Sequence, residues 1–373
     1  MKKITIFLAL IALTISCSKD LETPITPEKQ ETTGTSKDES SLYAQDSIAL
    51  AALYMSTKGD QWAQPLANWN KAPMYLWYGV KTEKINGVRR VVSLSLINMK
   101  LSGTIPAALG NLTELRRLLL SYNYNLKGTI PEEIYSLHNL TILDLSYTGI
   151  TGGLSDKVGE LQKLDSLHLR KGYMNHGDLQ LTGPITESIS KLKSLRYLNL
   201  DNNAFTGSIP ASIGEMEKLE ELQIWNNKIS GSIPQSLGKL KNLLIFFAGG
   251  NKLSGSIPES IGDLHRLKQI YLDSNLLSGV IPETIGNMES LNDLGLSNNA
   301  LTGTIPNSIT KLKQLCIFRA DNNRLSGTLP EGLCNENPIL TSVVLDNNNL
   351  TGEIPILTGF QIGNVVKPWY CSL

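Results

Sequence analysis

Hydrophobic positions recur along the central part of the chain with a period of about 24 residues. The phrase Leu-x-x-Leu-x-Leu-x-x-Asn-x-Leu-x-Gly-x-Ile-Pro begins at Leu195, Leu219, Leu243, Leu267, Leu291 and Leu315. A fixed spacing without gaps indicates one structural unit stacked on itself, in which each unit contacts mainly its neighbours. The pattern therefore predicts a repeat protein rather than a globular domain with one central core.

Each repeat contains one short strand, which the alternation of side chains predicts. In the repeat that begins at Leu219, Leu222 and Ile224 alternate with Glu221, Gln223 and Trp225. A period of two is typical of a half-buried strand whose aliphatic side chains point inward. We expect strands of successive repeats to pair in parallel and to present the intervening side chains on one open, concave sheet.

An asparagine follows most of these strands, where the chain has to turn. Its amide can donate and accept hydrogen bonds, so it can satisfy backbone groups at the bend. We expect a ladder of such amides, formed by Asn123, Asn203, Asn227, Asn251, Asn275, Asn299, Asn323 and Asn348. Met99, Thr148 and Gly172 stand at the ladder position in three of the early repeats. Removing one amide should cost roughly 1–3 kcal/mol, because its buried partners lose their hydrogen bonds.

The Gly-x-Ile-Pro ending resembles the plant-type leucine-rich repeat, found in plant receptor ectodomains and in bacterial surface proteins. The motif covers most of residues 91–355 in about eleven copies. The resemblance implies an α/β repeat solenoid, a right-handed superhelix with a parallel concave β-sheet. Short 3-10 or irregular segments would form its convex side, and a helical cap its N-terminal end. It does not specify a function, because sites vary on a shared frame.

The first residues predict export. Met1-Lys2-Lys3 precedes a short apolar run, Ile4–Ile15, which is below the roughly 20 apolar residues of a membrane span. Cys17 follows in a context that resembles a bacterial lipobox, although the usual Leu is replaced by Thr14. Residues 1–17 are thus interpreted as a lipoprotein signal peptide with Cys17 as the lipidated residue. The alternative is ordinary cleavage, with Cys17 incidental.

Two segments separate the signal peptide from the repeats. Residues 18–43 are rich in Ser, Thr, Pro, Lys and Glu, and we expect a disordered tether. The lipobox resemblance then implies attachment to a bacterial outer membrane, with the protein exposed at the cell surface. Residues 44–90 resemble the N-terminal cap of plant-type repeats, although the flanking cysteines of that cap are absent. We therefore expect the cap to be held by packing alone.

Three features predict the local structure of the cap. Asp46 is a candidate N-cap of a helix that ends near Gly59. Asn86-Gly87, between two apolar runs, predicts a hairpin turn. Trp62, Trp69 and Trp77 would either seal the first repeat or form a sugar-binding cluster; sealing is the favoured interpretation.

The later chain carries an insertion and three cysteines. About seven extra residues near Tyr173–Asp178 interrupt the repeat at Leu164; such insertions often lie on a binding face, and neutral drift is the alternative. Residues 356–373 have enough apolar side chains to cover the last repeat. Export permits a disulfide between Cys334 and Cys371, with Cys316 left over or competing.

Aromatic side chains cluster at outward strand positions of neighbouring repeats, although aromatic residues are only 6% of the chain. The cluster suggests a binding patch with anchors Tyr197, Trp225, Ile245, Phe247 and Tyr271, flanked by His168, Arg170, Asp201 and Asp273. The alternative is that aromatic residues are good strand formers that stack across strands. Gly249-Gly250 either leaves a depression beside Trp225 or is simply tolerated there.

Charge and motif content narrow the function. The chain has a formal net charge of zero, which gives no basic stripe for nucleic acid. The four histidines lack metal-ligand spacing, and no catalytic or phosphate-binding motif is present, so no cofactor is expected. His168 and Asp144 fall on neighbouring strands, where a surface pair is favoured over an acid–base pair. We expect a monomeric, non-catalytic surface protein that binds a protein or peptide. A carbohydrate-binding protein and a scaffold without a single ligand are the alternatives.

Overall fold

The computed structural model describes residues 37–63, 69, 71–172, 180–333, 337, 339–352, 361–362, 365–366 and 370–372, with the backbone alone for 37–40 and 361–372. The signal peptide with Cys17, the tether up to residue 36, the insertion at 173–178 and Cys334 lie outside the described residues. The side chain of Cys371 does so as well, so the proposed disulfide stays a prediction.

A long sheet runs through all the repeats. Its thirteen strands are Val80–Ile85, Val88–Ser95, Arg117–Leu119, Ile142–Asp144, Ser166–His168, Tyr197–Asn199, Glu221–Gln223, Ile245–Phe247, Gln269–Tyr271, Asp293–Gly295, Ile317–Arg319, Ser342–Val344 and Tyr370–Ser372. The first two strands pair antiparallel around Asn86-Gly87, and every later pair is parallel and in register from repeat to repeat. The predicted stacking of one strand per repeat is confirmed.

The chain returns through short strands and 3-10 helices. The return strands are Ser102–Thr104, Asn125–Gly128, Gly149–Ile150, Thr182–Pro184, Ala204–Thr206, Ser230–Gly231, Lys252–Gly255, Leu276–Gly279, Ala300–Gly303, Arg324–Gly327 and Asn349–Leu350. Near the C-terminal end, Gln361–Ile362 and Val365–Val366 pair antiparallel. The repeat 3-10 helices are Ala107–Asn111, Glu132–Ser136, Asp156–Glu160, Glu187–Lys191, Ala211–Glu215, Gln235–Lys239, Glu259–Asp263, Glu283–Asn287 and Asn307–Lys311; Gly59–Gln61 and Met74–Leu76 are two more in the cap.

The repeat phrase explains these elements. In the repeat at Leu219, Leu222, Ile224, Ile229 and Leu237 are at most 1% exposed and form the inner lining. Gly231 has a φ of +76°, a left-handed turn conformation that glycine adopts without strain. A proline precedes most of the 3-10 helices, because its fixed φ suits the start of a helix that needs no donor there.

The asparagine amides form the ladder. Asn251 is typical: its Nδ2 donates to the carbonyls of Ile224 (2.9 Å) and Ala248 (3.1 Å), and its Oδ1 accepts from the backbone of Ile229 at 3.0 Å. The same contacts recur at Asn123, Asn203, Asn227, Asn275, Asn299, Asn323 and Asn348. Each amide thus joins consecutive repeats as well as closing its own turn.

The repeat with Gly172 at the ladder position contains a buried lysine, which donates to carbonyls other than those that a ladder amide would take. Gly172 has no side chain there, and the buried ammonium group of Lys171 donates to the carbonyls of Thr148 and Ile150, both at 2.7 Å. The hydroxyl of Thr148 in turn donates to the carbonyl of Leu145 at 2.7 Å. Burial lowers the pKa of Lys171 to about 7, because the charged form loses its hydration.

The cap helix corrects the sequence prediction. It spans Lys37–Ser56, so it begins inside the segment assigned to the tether, and Asp46 is not its N-cap. The Asp46 carboxylate is fully buried and receives two hydrogen bonds from Arg90, at 2.9 and 3.0 Å, and one from the backbone of Val91 at 2.7 Å. The cap is therefore held by a buried ion pair as well as by packing.

The three cap tryptophans seal the end of the repeat stack. Trp62, Trp69 and Trp77 are at most 8% exposed, and Trp69 lies 4.9 and 4.8 Å, centroid to centroid, from the other two rings. Each indole donates to a backbone carbonyl. Buried rings cannot stack on a sugar, so the sealing interpretation holds. At the opposite end, the backbone of Tyr370–Ser372 pairs with Ser342–Val344 and extends the long sheet.

Candidate ligand-binding surface

The long sheet brings three predicted aromatic residues into contact. Phe247 and Tyr271 are cross-strand partners, with ring centroids 4.9 Å apart. The Trp225 ring meets Tyr271 edge to face at 6.5 Å, with the two planes at 89°. All three side chains are half-buried. We call Trp225, Phe247 and Tyr271 the aromatic trio.

Glycines in the following repeats make room for these rings. A Cβ atom on Gly249 would overlap the Trp225 ring, and one on Gly295 would overlap the Tyr271 ring and the carboxylate of Asp273. Trp225 therefore lies across Gly249, and Tyr271 leans over Gly295. The space at Gly249 is occupied by the indole, so it forms no empty depression. These glycines define the positions of the rings.

Polar groups fix the orientation of Tyr271. Its hydroxyl donates to Asp293 Oδ2 at 3.2 Å, and Gln269 Nε2 donates to the same oxygen at 2.6 Å. The Arg319 guanidinium lies over the Tyr271 ring, 5.3 Å from its centroid. Burial, with the charge of Asp293, raises the pKa of the Tyr271 phenol, so the hydroxyl stays a donor at neutral pH.

Two buried carboxylates flank Trp225 along the sheet. Asp201 precedes Trp225 in register, and its Oδ1 accepts the backbone N–H of Trp225 at 2.7 Å. Asp273 lies two repeats after Trp225, and its Oδ1 accepts the backbone N–H of Ser297 at 3.0 Å. Burial raises the pKa of Asp201 to about 7 and also raises that of Asp273. Arg170 and Arg319 respectively oppose these shifts.

Two of the predicted anchors have other surroundings. Tyr197 donates to Glu220 Oε2 at 3.3 Å and lies under Arg196, whose guanidinium forms two 2.9 Å hydrogen bonds with Glu220. Ile245 is half-buried and pairs with Gln269 in register, next to the trio. Ile245 thus adjoins the trio, whereas Tyr197 belongs to a separate polar cluster.

His168 and Arg170 lie nearer the first repeats. Arg170 stands 5.8 Å from the ring centroid of Tyr147, which stacks on the exposed Tyr122 at 4.4 Å. His168 pairs in register with Asp144. Burial lowers the pKa of His168, while the charges of Asp144 and Asp165 raise it. Arg170 therefore borders a second aromatic group, formed by Tyr122 and Tyr147, and Asp201 lies between this group and the trio in the strand order.

Nothing in the repeat pattern singles out Gly295, Asp293 or Arg319, although all three contact the trio or its carboxylates. Their strand positions were readable from the repeat, since Gly295 and Arg319 follow Tyr271 in the same outward column. Their contacts depend on the direction in which each ring leans, which the repeat pattern does not contain.

The described part of the chain contains neither a candidate metal site nor a candidate membrane span. No group of three or more His, Cys, Asp or Glu side chains there is arranged to hold a metal ion. In the same residues, no helix combines the length and the apolar character that crossing a membrane requires.

Comparison with known families supports the repeat assignment. Leucine-rich repeat family models match residues 194–216, 217–277 and 265–325. These matches coincide with repeats whose strands, ladder amides and 3-10 turns are described above. The fold is a leucine-rich repeat solenoid. A search of curated proteins finds no significant match.

Solved structures extend the comparison beyond the matched repeats. The plant peptide hormone receptor RGFR1, in complex with RGF2, is 35% identical over 71% of this chain and 40% of its own, with a TM-score of 0.66. The Arabidopsis receptor kinase HAESA, in complex with the peptide hormone IDA and the co-receptor SERK1, is 31% identical over 82% of this chain and 50% of its own, with a TM-score of 0.70. The chain thus spans half or less of these receptor structures.

A third structure supports the fold alone. A plant ice-binding protein is 24% identical over 84% of this chain and 89% of its own, with a TM-score of 0.61. Proteins described as a hormone receptor and as an ice-binding protein therefore share this architecture, and any argument about function has to rest on the outward side chains.

Proposed function

We propose that this protein is a non-catalytic receptor-like binding protein that captures a protein or peptide on the outward face of its long sheet. The observation that carries the proposal is the aromatic trio, half-buried, in mutual contact and set among charged side chains on an open sheet. Aromatic and arginine side chains in such settings supply most of the binding energy at protein interfaces.

Two further points support a peptide or protein over other ligands. The similar plant structures are complexes of leucine-rich repeat receptors with peptide hormones. In addition, Gln269 and Asp293, the polar groups beside Tyr271, already hydrogen bond to each other or to the phenol. They are thus engaged within the protein, whereas a sugar-binding site needs convergent groups for hydroxyls. Carbohydrate binding remains the second candidate because aromatic rings can stack on sugar faces.

The test is selection of a random peptide library on the full chain, followed by calorimetry with the selected peptides. We expect the double variant Trp225→Ala/Phe247→Ala to weaken binding by about 30-fold, since two interface anchors are truncated. Tyr122→Ala is the matched control, because this exposed tyrosine lies on the other aromatic group. Its affinity should stay within about twofold of wild type.

Equal binding by the wild type and the double variant would overturn the proposal. Selection of no peptide, with glycan-array binding that the double variant loses, would favour the carbohydrate candidate. If the double variant binds peptides and glycans no more weakly than the wild type does, a scaffold role without a single ligand would be favoured.

We also propose that the protein is exported and attached to the outer surface of a bacterial membrane by acylation of Cys17. The short apolar run and the cysteine after it support this proposal. We expect wild type to incorporate labelled palmitate and to sediment with membranes, and Cys17→Ala to lose both properties, because stable anchoring requires acyl chains. A wild-type protein recovered without label in the soluble fraction would contradict the anchor.

A further inference from the structure

Among the described residues, Trp225 differs from three tyrosines near the long sheet in having no cation over its ring. Three tyrosines of the sheet and its edges each carry an arginine within 5.8 Å of the ring centroid, in the pairs Arg170–Tyr147, Arg196–Tyr197 and Arg319–Tyr271. Within the described residues, no such contact involves Trp225 or Phe247. An indole face attracts a cation more strongly than a phenol or phenyl face does.

The geometry around Trp225 suits a positively charged group. The planes of Trp225 and Tyr271 are at 89°, so two aromatic surfaces form a corner. Asp201 lies at one end of the indole, through its hydrogen bond to the Trp225 backbone. At the other end, the indole fills the space over Gly249 and approaches the backbone carbonyl of Asp273.

The carboxylate of Asp273 is incompletely satisfied. Its Oδ2 atom is buried and has no hydrogen-bond partner among the described residues, and the side chain as a whole is only 8% exposed. Burial raises the pKa of both Asp201 and Asp273, because their charged forms lose hydration that the nearby arginines do not fully replace. Oδ2 of Asp273 faces Gly295, so a cation over the indole would act on this carboxylate through its electrostatic field and not through a hydrogen bond to that oxygen.

The outward face of the sheet around Trp225 is negatively charged. From the strand at Tyr197 to the strand at Ile317, the outward positions carry five carboxylates and one guanidinium, although the whole chain is neutral. These residues are Asp201, Glu221, Asp273, Asp293, Asp321 and Arg319. Such a surface attracts basic partners and disfavours acidic ones.

We propose that the partner of the aromatic trio places a basic side chain, an arginine or a lysine, over the indole of Trp225 between Asp201 and Asp273. This inference rests on the proposed function and specifies the chemistry of its ligand. Arg319 on Tyr271 is the internal precedent, since the same sheet already holds a guanidinium against a ring.

The test uses N-acetyl-arginine methylamide and its neutral citrulline analogue as probes. The indole N–H signal of Trp225, assigned by its loss in Trp225→Phe, is followed by NMR in the full chain. We expect the arginine probe to shift this signal at saturable concentrations and the citrulline probe to leave it unmoved. Asp273→Asn and Asp201→Asn should each weaken the arginine probe by about fivefold, and added salt should weaken it in wild type.

The matched control is Asp263→Asn, which removes a carboxylate from a 3-10 helix instead of from the sheet. Its affinity for the arginine probe should equal that of wild type. Equal shifts with citrulline, or unchanged arginine affinity in both sheet variants, would overturn the inference. In that case, library peptides without basic residues that still depend on the trio would leave the proposed function standing. If the selected peptides bind the wild type and the Trp225→Ala/Phe247→Ala variant equally, both the proposed function and this inference are wrong.

Discussion

At the scale of single residues, glycine and aspartate decide how the aromatic trio is presented. Trp225 and Tyr271 can lean along the sheet because Gly249 and Gly295 lack the Cβ atoms that would meet the rings. The register of the trio was predictable, since the repeat places Phe247 and Tyr271 at equivalent positions. The lean of each ring was not, because it depends on side-chain rotamers and on residues in the next repeat.

Asp201 provides a prediction at this scale. Burial raises its pKa to about 7 in the folded protein, against about 3.9 in an unfolded chain. The folded state therefore retains a proton that the unfolded state releases, and this stabilising effect is complete below about pH 4 and lost as the pH rises through about 7. The isosteric variant Asp201→Asn lacks the titration but keeps an oxygen for the Trp225 N–H.

We therefore expect the free energy of unfolding of wild type, minus that of Asp201→Asn, to fall between about pH 4 and pH 7 and to level off above it. Urea unfolding of both proteins at a series of pH values measures this difference, in which all other titrating groups cancel. A difference independent of pH would show that Asp201 titrates normally in the folded state.

At the scale of elements, the cap was predictable from the sequence only in its local features. The helix, the hairpin and the sealing tryptophans follow from local patterns, whereas the helix start at Lys37 and the role of Asp46 do not. Asp46 pairs with Arg90, 44 residues away in sequence. An aspartate before an apolar run resembles an N-cap, and only the packing of the helix on the first repeat reveals the ion pair. The burial of Lys171 was not predicted either, since a lysine beside a turn glycine is usually exposed, and its contacts with the carbonyls of Thr148 and Ile150 depend on the packing of the preceding repeat.

The buried ion pair leads to a prediction about the cap. Asp46→Ala should lower the free energy of unfolding by about 3–5 kcal/mol, because it leaves the Arg90 charge buried and unpaired. The control is Glu83→Ala, which breaks the 2.9 Å pair with Arg116; both of its side chains are almost half exposed. That change should cost no more than about 1 kcal/mol. Urea unfolding measures both variants, and similar losses would contradict the assigned role of Asp46.

At the scale of the whole molecule, one repeated phrase specifies the fold and leaves the function to the residues between its regularly spaced positions. Aliphatic positions at fixed intervals predict the stacked strands, and the ladder amides join each repeat to the next. Outward residues are free of that constraint, so they can build a site such as the aromatic trio without altering the frame. The similar plant receptors use the same frame with peptide hormones bound.

Photo-crosslinking tests the central claim, that a partner docks on the long sheet, most directly. A photoreactive benzoylphenylalanine replaces Phe247 in the trio or, as the control, the exposed Leu276 on the return strands. With a library-selected peptide, we expect an adduct from position 247 and none from position 276. An adduct from position 276 alone would place the binding surface on the other side of the repeats and contradict the account.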